Sequence, residues 1–446
     1  MPIDLGCLLM AIAQMDITGW LLGRSIDHDR LWSLNERANR TVRWGHQLYI
    51  LAACVFCLFI ALPQSFFEAS SVVLFGFFVV RLYATWRLYP LMLTLPIVAL
   101  ALVYAGYMLV GILWSPNKPY GVHESDALRW MLIVPALWPL RHLRRWFILC
   151  IILSYLTVNA TQLIQFLAFE FNWEHLDFDA YPDRISAWFM PASGGSILLA
   201  SFGLHLPIAL NRHHSLRWPA RVLAIVSLLA VVATGTRGAW IAAALLVVVA
   251  LAFTAWRSTN RGRTAITGLV IAVVIVPVAW LTLGSKIESR VAEARTELRS
   301  TIDNKDYATS MGARVNMWIW AGRAFAEHPV LGVGTGGYET WVQDRQAEQG
   351  IDLAKEPIER NAHGAYVHIA ATQGTLGLVL FLALMSVVLI GAAPSAADNS
   401  TYQAGFFMAI IAFLLVGVFA TFHLHTQSAA VLWTMVALAQ KPSNRY

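Results

Sequence analysis

The feature that most limits how this chain can fold is a succession of apolar runs, each close to the thickness of a bilayer. About twenty apolar residues cross a hydrocarbon core. Runs of that order occupy 46–63, 66–87, 90–114, 125–141, 145–168, 186–210, 217–234, 236–256, 264–283, 366–390, 402–422 and 426–440. Segment 6–23 is a further candidate, but Asp16 within it, Asp4 just before it and its glycines make it as good an interfacial or re-entrant piece. With 58% hydrophobic and 13% charged residues and a mean hydropathy of +0.58, the chain is not a soluble globular protein, where about a quarter of residues are charged. It is not a disulfide scaffold either, because Cys7, Cys54, Cys57 and Cys150 lie in apolar runs and read as small core residues. The expected fold class is all-α, a polytopic integral membrane protein of about twelve transmembrane helices.

A net charge of +6 would suggest nucleic acid in a soluble protein, but here its placement matters more. Met1 to Trp20 has no basic leader, so the first spans are expected to act as the insertion signal. If Arg24, Arg30, Arg37, Arg40 and Arg43 are cytoplasmic, alternation puts four other groups on the same side. These are Arg141, Arg144 and Arg145; Arg212, Arg217 and Arg221; Arg257, Arg261 and Arg263; and Lys441 with Arg445. The opposite side receives 169–185, the corner 234–238, the stretch 284–365 and the link at His423 and His425. The expected plan is one membrane domain, 1–283 and 366–446, interrupted by a functional insertion at 284–365. Within the insertion, Ile287, Val291, Ala294 and Leu298 recur at helical spacing, and Val315, Trp318, Ala321 and Phe325 predict a second helix over 313–327.

Chemistry is expected on the insertion side. Arg237 stands in the corner Thr234-Gly235-Thr236-Arg237-Gly238-Ala239-Trp240, where a guanidinium either snorkels to lipid and loop carbonyls or clamps a phosphoryl group. Arg314 is expected near a helix start, where free amides also favour anions. Arg184 is a third cation, with Asp183 as its alternative partner. His363, just before a span, is a base or hydrogen-bond partner for a hydroxyl, or a plain structural histidine. Gly332-Val333-Gly334-Thr335-Gly336-Gly337 fits a dinucleotide fingerprint but has no βαβ context. Its glycines are expected to form a tight turn whose amides approach an anion or sugar. Asp177, Asp179, Glu170, Glu174 and Asp183 read as an acidic loop rather than a metal site, and His423 and His425 as structural.

The order of these pieces resembles the O-antigen ligase and polymerase superfamily. The arginine in a T-R-G-A-W corner is Arg237, and the R-x-x-x-W motif is Arg314 with Trp318. The H-P-x-x-G-V-G-x-G-x-Y motif runs from His328 to Tyr338, and a histidine, His363, opens the next span ahead of Gly374-Thr375-Leu376-Gly377. The resemblance covers about residues 180 to 390. One departure is His363-Gly364 where the family usually has His-Asn; Asn361 stands nearby.

The resemblance implies a GT-C-like fold with one large helical periplasmic insertion, in a bacterial inner membrane. It implies a glycosyltransferase that moves a glycan from undecaprenyl diphosphate to a sugar hydroxyl of lipid A core, inverting and without metal or other cofactor. Arg237, Arg314 and Arg184 would bind the diphosphate, while His363, with Arg237 and Arg314, would carry catalysis. The implied partners are the lipid-linked donor, the lipid A core acceptor and membrane lipid, not nucleic acid. A polysaccharide polymerase is the nearest alternative, and a transporter or flippase is the alternative outside the enzymes.

Overall fold

The computed structural model describes residues 33–37, 43–86, 88–171, 173, 184–211, 213–257, 284–285, 288–351, 356, 358–394 and 401–439, and among them every regular element is helical. The main helices are α1 (Arg43–Phe59), α2 (Gln64–Thr85), α3 (Pro96–Gly111), α4 (Lys118–Ser125), α5 (Arg144–Glu170), α6 (Pro191–Leu210), α7 (Arg217–Ala233) and α8 (Arg237–Arg257). They continue as α9 over 288–304, then α10 (Ser310–Glu327), α11 (Tyr338–Glu348), α12 (Ala365–Ala392), α13 (Thr401–Val416) and α14 (Thr426–Ala439). Among the described residues, six stretches are long and apolar enough to span a bilayer: Gln64–Tyr83, Pro96–Trp114, Lys118–Glu170, Pro191–Leu210, Arg237–Ala255 and Ala365–Ala392. Val72, Val80, Leu113, Val248 and Val379 are exposed along them, as lipid-facing side chains are. The chain is a multi-pass membrane protein.

Several runs break differently from their hydropathy. The run 125–141 is not one straight helix but a 3-10 turn (Asp126–Leu132), a short α-helix (Ile133–Leu137) and a second 3-10 turn (Trp138–Leu143). Pro135 and Pro139 remove amide donors there, which the hydropathy of the run does not register. The run 402–422 stops as helix at Val416, and a tight link follows. The run 264–283, segment 6–23, the acidic loop around Asp177 and the basic residues Arg24, Arg30, Arg40, Arg261, Arg263, Lys441 and Arg445 lie outside the described residues.

α6 is buried along nearly its whole length, which requires neighbours to approach closely. A Cβ on Gly203 would lie 2.9 Å from the Met408 carbonyl carbon, and one on Gly405 would lie 2.5 Å from the Leu204 carbonyl oxygen. Such small-residue contacts and interhelical hydrogen bonds replace the hydrophobic drive that is missing between helices in lipid. Ser227 on α7 accepts from Asn159 on α5 at 3.2 Å and meets Ser201 on α6 at 2.9 Å.

The bundle has two polar ends. At one, Arg144 donates to Gln403 at 3.4 Å and Asn211 to Thr401 at 2.6 Å, and Arg221 donates to the Ala209 carbonyl at 3.1 Å. The other end gathers Arg184, the corner before α8, helices α9 to α11 and the link 417–425.

Candidate functional site

Almost every residue of the corner before α8 serves to fix Arg237. Gly235 takes φ 63°, which glycine adopts freely. The Thr236 hydroxyl donates to the Pro191 carbonyl at 3.0 Å, and the Trp240 indole to the Val232 carbonyl at 3.1 Å. Gly238 must be small, because a Cβ there would come within 2.5 Å of the Phe419 Cβ. Beside the corner, Ile185 N donates to the Ala233 carbonyl at 3.1 Å, and Gln162 and Gln165 donate to the carbonyls of Ile185 and Ala187 at 3.0 Å each. Arg184 is thereby seated against Gly235, its Cγ 3.5 Å from where a glycine Cβ would be, with the Arg290 Nε at 3.4 Å from the same point.

α9 forms as expected but is turned about its axis. Val291 and Leu298, two members of the expected apolar face, are exposed, as is Ile302, while Arg290, Ala294, Glu297 and Thr301 face the body. Ion pairs decide the rotation. Arg237 donates through Nη1 to Glu297 Oε2 at 2.8 Å and through Nη2 to Glu297 Oε1 at 3.3 Å. Its Nη2 also lies 3.0 Å from Glu293 Oε2, and Glu293 in turn accepts from Arg290 at 2.8 Å. The bidentate carboxylate pair, which is little exposed, thus shares the inner face of α9 while Val291, Leu298 and Ile302 point outward.

Arg314 lies in the second turn of α10, because Thr309 caps that helix at the Gly312 amide (3.0 Å) and starts it at Ser310 rather than at 313. Three of its first-turn amides are already taken, that of Met311 by Glu297 Oε2 at 3.0 Å, that of Gly312 by the Thr309 hydroxyl and that of Ala313 by the Thr309 carbonyl. They are therefore not free for an anion as expected from the sequence. Burial, then the charges of Arg184 and Arg237, lower the Arg314 pKa against the opposing pull of Glu359 and Glu297. Arg184 and Arg237, from separate parts of the chain, are thus both within electrostatic reach of Arg314.

His363 has φ 47°, a left-handed conformation uncommon for a residue with a Cβ and one that clusters at functional sites. Its backbone N–H donates to Asn361 Oδ1 at 3.0 Å, which also accepts from Thr421 at 3.0 Å. Asn361 therefore holds the turn. The ring Nε2 meets Glu359 Oε2 at 2.6 Å. The hydrogen bond to His363 holds the Glu359 carboxyl below its ordinary value, helped by the charges of His363 and Arg314 and opposed by burial. An ionised Glu359 accepts from Nε2–H and leaves the Nδ1 lone pair as the basic position. The His-Gly departure has a steric cause: a Cβ on Gly364 would lie 2.9 Å from the Val418 carbonyl oxygen and 3.4 Å from the Trp318 indole nitrogen. His425, at the end of the link, is partly buried, and burial followed by the charge of His363 lowers its pKa.

The glycine-rich turn does something other than expected. Gly332, Gly334 and Gly336 all take positive φ, but the amides of Gly332, Val333, Gly334, Thr335 and Gly337 bond within the protein. Val333 N donates to the Ala371 carbonyl at 3.0 Å, Gly334 N to that of Thr372 at 2.9 Å and Thr335 N to that of Gly111 at 3.3 Å. The turn plugs into α12 where Gly374 (φ 65°, ψ −167°) kinks it, and there Thr375 N donates to the Pro329 carbonyl at 2.8 Å.

Glu293, Glu297, Arg290 and Glu359 were not singled out from the sequence. The one signal was the four-residue spacing of Glu293 and Glu297, which also suits a solvated face. A second buried pair, His368 Nε2 to Glu124 Oε1 at 3.4 Å, was likewise unmarked. Of the acidic loop, Glu170 ends α5, whereas Glu174, Asp177, Asp179 and Asp183, the alternative partner for Arg184, lie outside the described residues.

Comparison with known proteins adds two likenesses. Residues 222–382 match the family described as O-antigen ligase, a stretch that contains Arg237, Arg314 and His363 but not Arg184. The chain is also 28% identical over 171 residues to an uncharacterised protein of Haemophilus influenzae, covering 38% of this chain and 41% of that relative.

Proposed function

We propose, because residues 222–382 match the family described as O-antigen ligase, that this chain is an inverting glycosyltransferase working at the periplasmic face of the bacterial inner membrane. The donor would be a glycan on undecaprenyl diphosphate and the acceptor a sugar hydroxyl of lipid A core. The observation that carries the proposal is Glu359, which bonds His363 and also acts electrostatically on Arg314, itself within reach of Arg184 and Arg237. A base and a cation cluster therefore border one region.

In the proposed reaction the acceptor oxygen forms a bond to the anomeric carbon as the bond from that carbon to the diphosphate oxygen breaks. The hydroxyl proton passes to His363 Nδ1 while Glu359 holds Nε2–H. Charge developing on the diphosphate is met by Arg184, Arg237 and Arg314, fixed before the substrate arrives. Two lipid-anchored substrates held at one membrane end need only be oriented, not gathered from solution.

The test is transfer in vesicles containing the purified chain, lipid-linked glycan and lipid A core. Arg237→Ala and Arg314→Ala are expected to lower the rate about 100- to 1,000-fold, and His363→Ala about 100- to 10,000-fold. Lengthened glycan with a bare core would make the chain a polymerase. Labelled glycan crossing the vesicle without any covalent product would make it a transporter.

A further inference from the structure

Arg237 is held by two carboxylates, and they are not equivalent. A guanidinium offers five N–H donors on the edges of one plane. Glu297 occupies the end-on pair, Nη1 and Nη2, at 2.8 and 3.3 Å, and Glu293 takes the remaining side of Nη2 at 3.0 Å. What is left, Nε–H and the outer Nη1 hydrogen, lies on opposite edges and cannot grip one phosphate with two bonds. A phosphate needing the two-pronged contact has to displace one carboxylate.

The structure distinguishes which one. Glu297 is only 11% exposed, and its Oε2 also accepts from Met311 N, three residues before Arg314 on the same helix. Releasing it would abandon three bonds and loosen the spacing of Arg237 from α10. Glu293 is 43% exposed, has one contact to Arg237, and keeps Arg290 at 2.8 Å if that contact is given up. It also faces an open cavity of about 570 Å³ lined by Phe169, Val232, Gly235, Trp240 and Arg290, of which Glu297 is not a lining residue.

We propose that Glu297 is a positioning residue that sets Arg237 against the helix bearing Arg314, and that Glu293 is a stand-in for a donor phosphate, leaving the side edge of Arg237 when the diphosphate enters from the cavity. With Glu293 swung toward Arg290, Nε and Nη2 form the side-on fork that a phosphate oxygen pair matches. The exchange costs little, because a half-exposed ion pair contributes little and Glu293 retains a partner. This rests on the diphosphate reading given above.

The two roles predict opposite changes from neighbouring substitutions. In transfer assays with a polyprenyl-diphosphate donor, Glu293→Gln is expected to lower the donor KM about two- to five-fold without lowering kcat, since a weak competitor is gone. Glu297→Gln is expected to raise the donor KM at least ten-fold and to lower kcat, while the thermal midpoints of both purified variants are compared with wild type. A Glu293→Gln enzyme with an unchanged or raised KM would overturn the stand-in, and a Glu297→Gln enzyme with wild-type constants would overturn the positioning role. Arg237→Ala is assayed alongside. If it transfers normally the diphosphate reading itself fails, whereas its inactivity together with an unchanged KM for Glu293→Gln leaves that reading standing and removes only this proposal.

Discussion

Gly374→Ala tests how the insertion is attached to the membrane body. Gly374 has φ 65° and ψ −167°, a region that is essentially restricted to glycine. Placing an L-residue at positive φ costs about 1–2 kcal/mol. A Cβ there would also collide with the Val330 carbonyl and lie 2.7 Å from Gly332 N, backbone atoms that cannot rotate away. Overpacking of this kind adds about 1–3 kcal/mol, so the expected destabilisation is about 2–5 kcal/mol. The damage falls where Thr375 N and Leu376 N donate to the carbonyls of Pro329 and Val330 at 2.8 and 3.2 Å, the bonds that seat the segment leading from α10 to α11. Gly322→Ala is the control, because it lies on α10 with nothing within 4 Å of its Cβ position and an exposed helical Gly→Ala change is neutral or stabilising by up to about 1 kcal/mol. Thermal unfolding of the purified protein in lipid nanodiscs is expected to show a midpoint several degrees lower for Gly374→Ala and unchanged or higher for Gly322→Ala. Equal midpoints and equal transfer rates for Gly374→Ala and wild type would refute the argument.

Two further outcomes are expected at the histidine turn. Glu359→Gln should lower kcat about ten-fold, the low end for a charge-assisted hydrogen bond of about 1.5–3 kcal/mol, because Glu359 is substantially exposed; steady-state transfer rates check it. Because the Glu359 pKa is lowered, its contribution to stability is full above the ordinary carboxylate value of about 4.3 and is lost as pH falls through the lower folded value. The midpoint difference between wild type and Glu359→Gln should therefore hold steady from neutral pH down to that region and shrink only below it. Gly364→Asn, which restores the family's usual residue, should destabilise by about 1–3 kcal/mol and reduce transfer, since its Cβ would lie 2.9 Å from the Val418 carbonyl oxygen.

The boundaries of several helices were legible because apolar runs of about twenty residues leave few alternatives, as α5, α7, α8, α12 and α14 illustrate. The run 125–141 misleads because hydropathy does not count lost amide donors at Pro135 and Pro139. The common end shared by Arg184, Arg237, Arg314 and His363 was readable from loop parity alone. The residues that hold them were not. α9 turns Glu297 toward the body and leaves Glu293 at its edge, both on Arg237, which lies 60 residues from Glu297 along the chain, and a hydrophobic periodicity carries no record of a distant cation. Likewise, the glycines at 332, 334 and 336 announced positive φ, but only the fold shows that the amides of Val333 and Gly334 are spent on the α12 carbonyls of Ala371 and Thr372.

Direct binding of a polyprenyl diphosphate to the purified chain in nanodiscs tests most simply whether one end of the bundle grips a diphosphate. Arg237→Ala and Arg314→Ala are predicted to weaken binding at least ten-fold, while Arg221→Ala, at the opposite end beside the Ala209 carbonyl, leaves it at the wild-type value. Equal affinity for all four proteins, or a loss confined to Arg221→Ala, would contradict it.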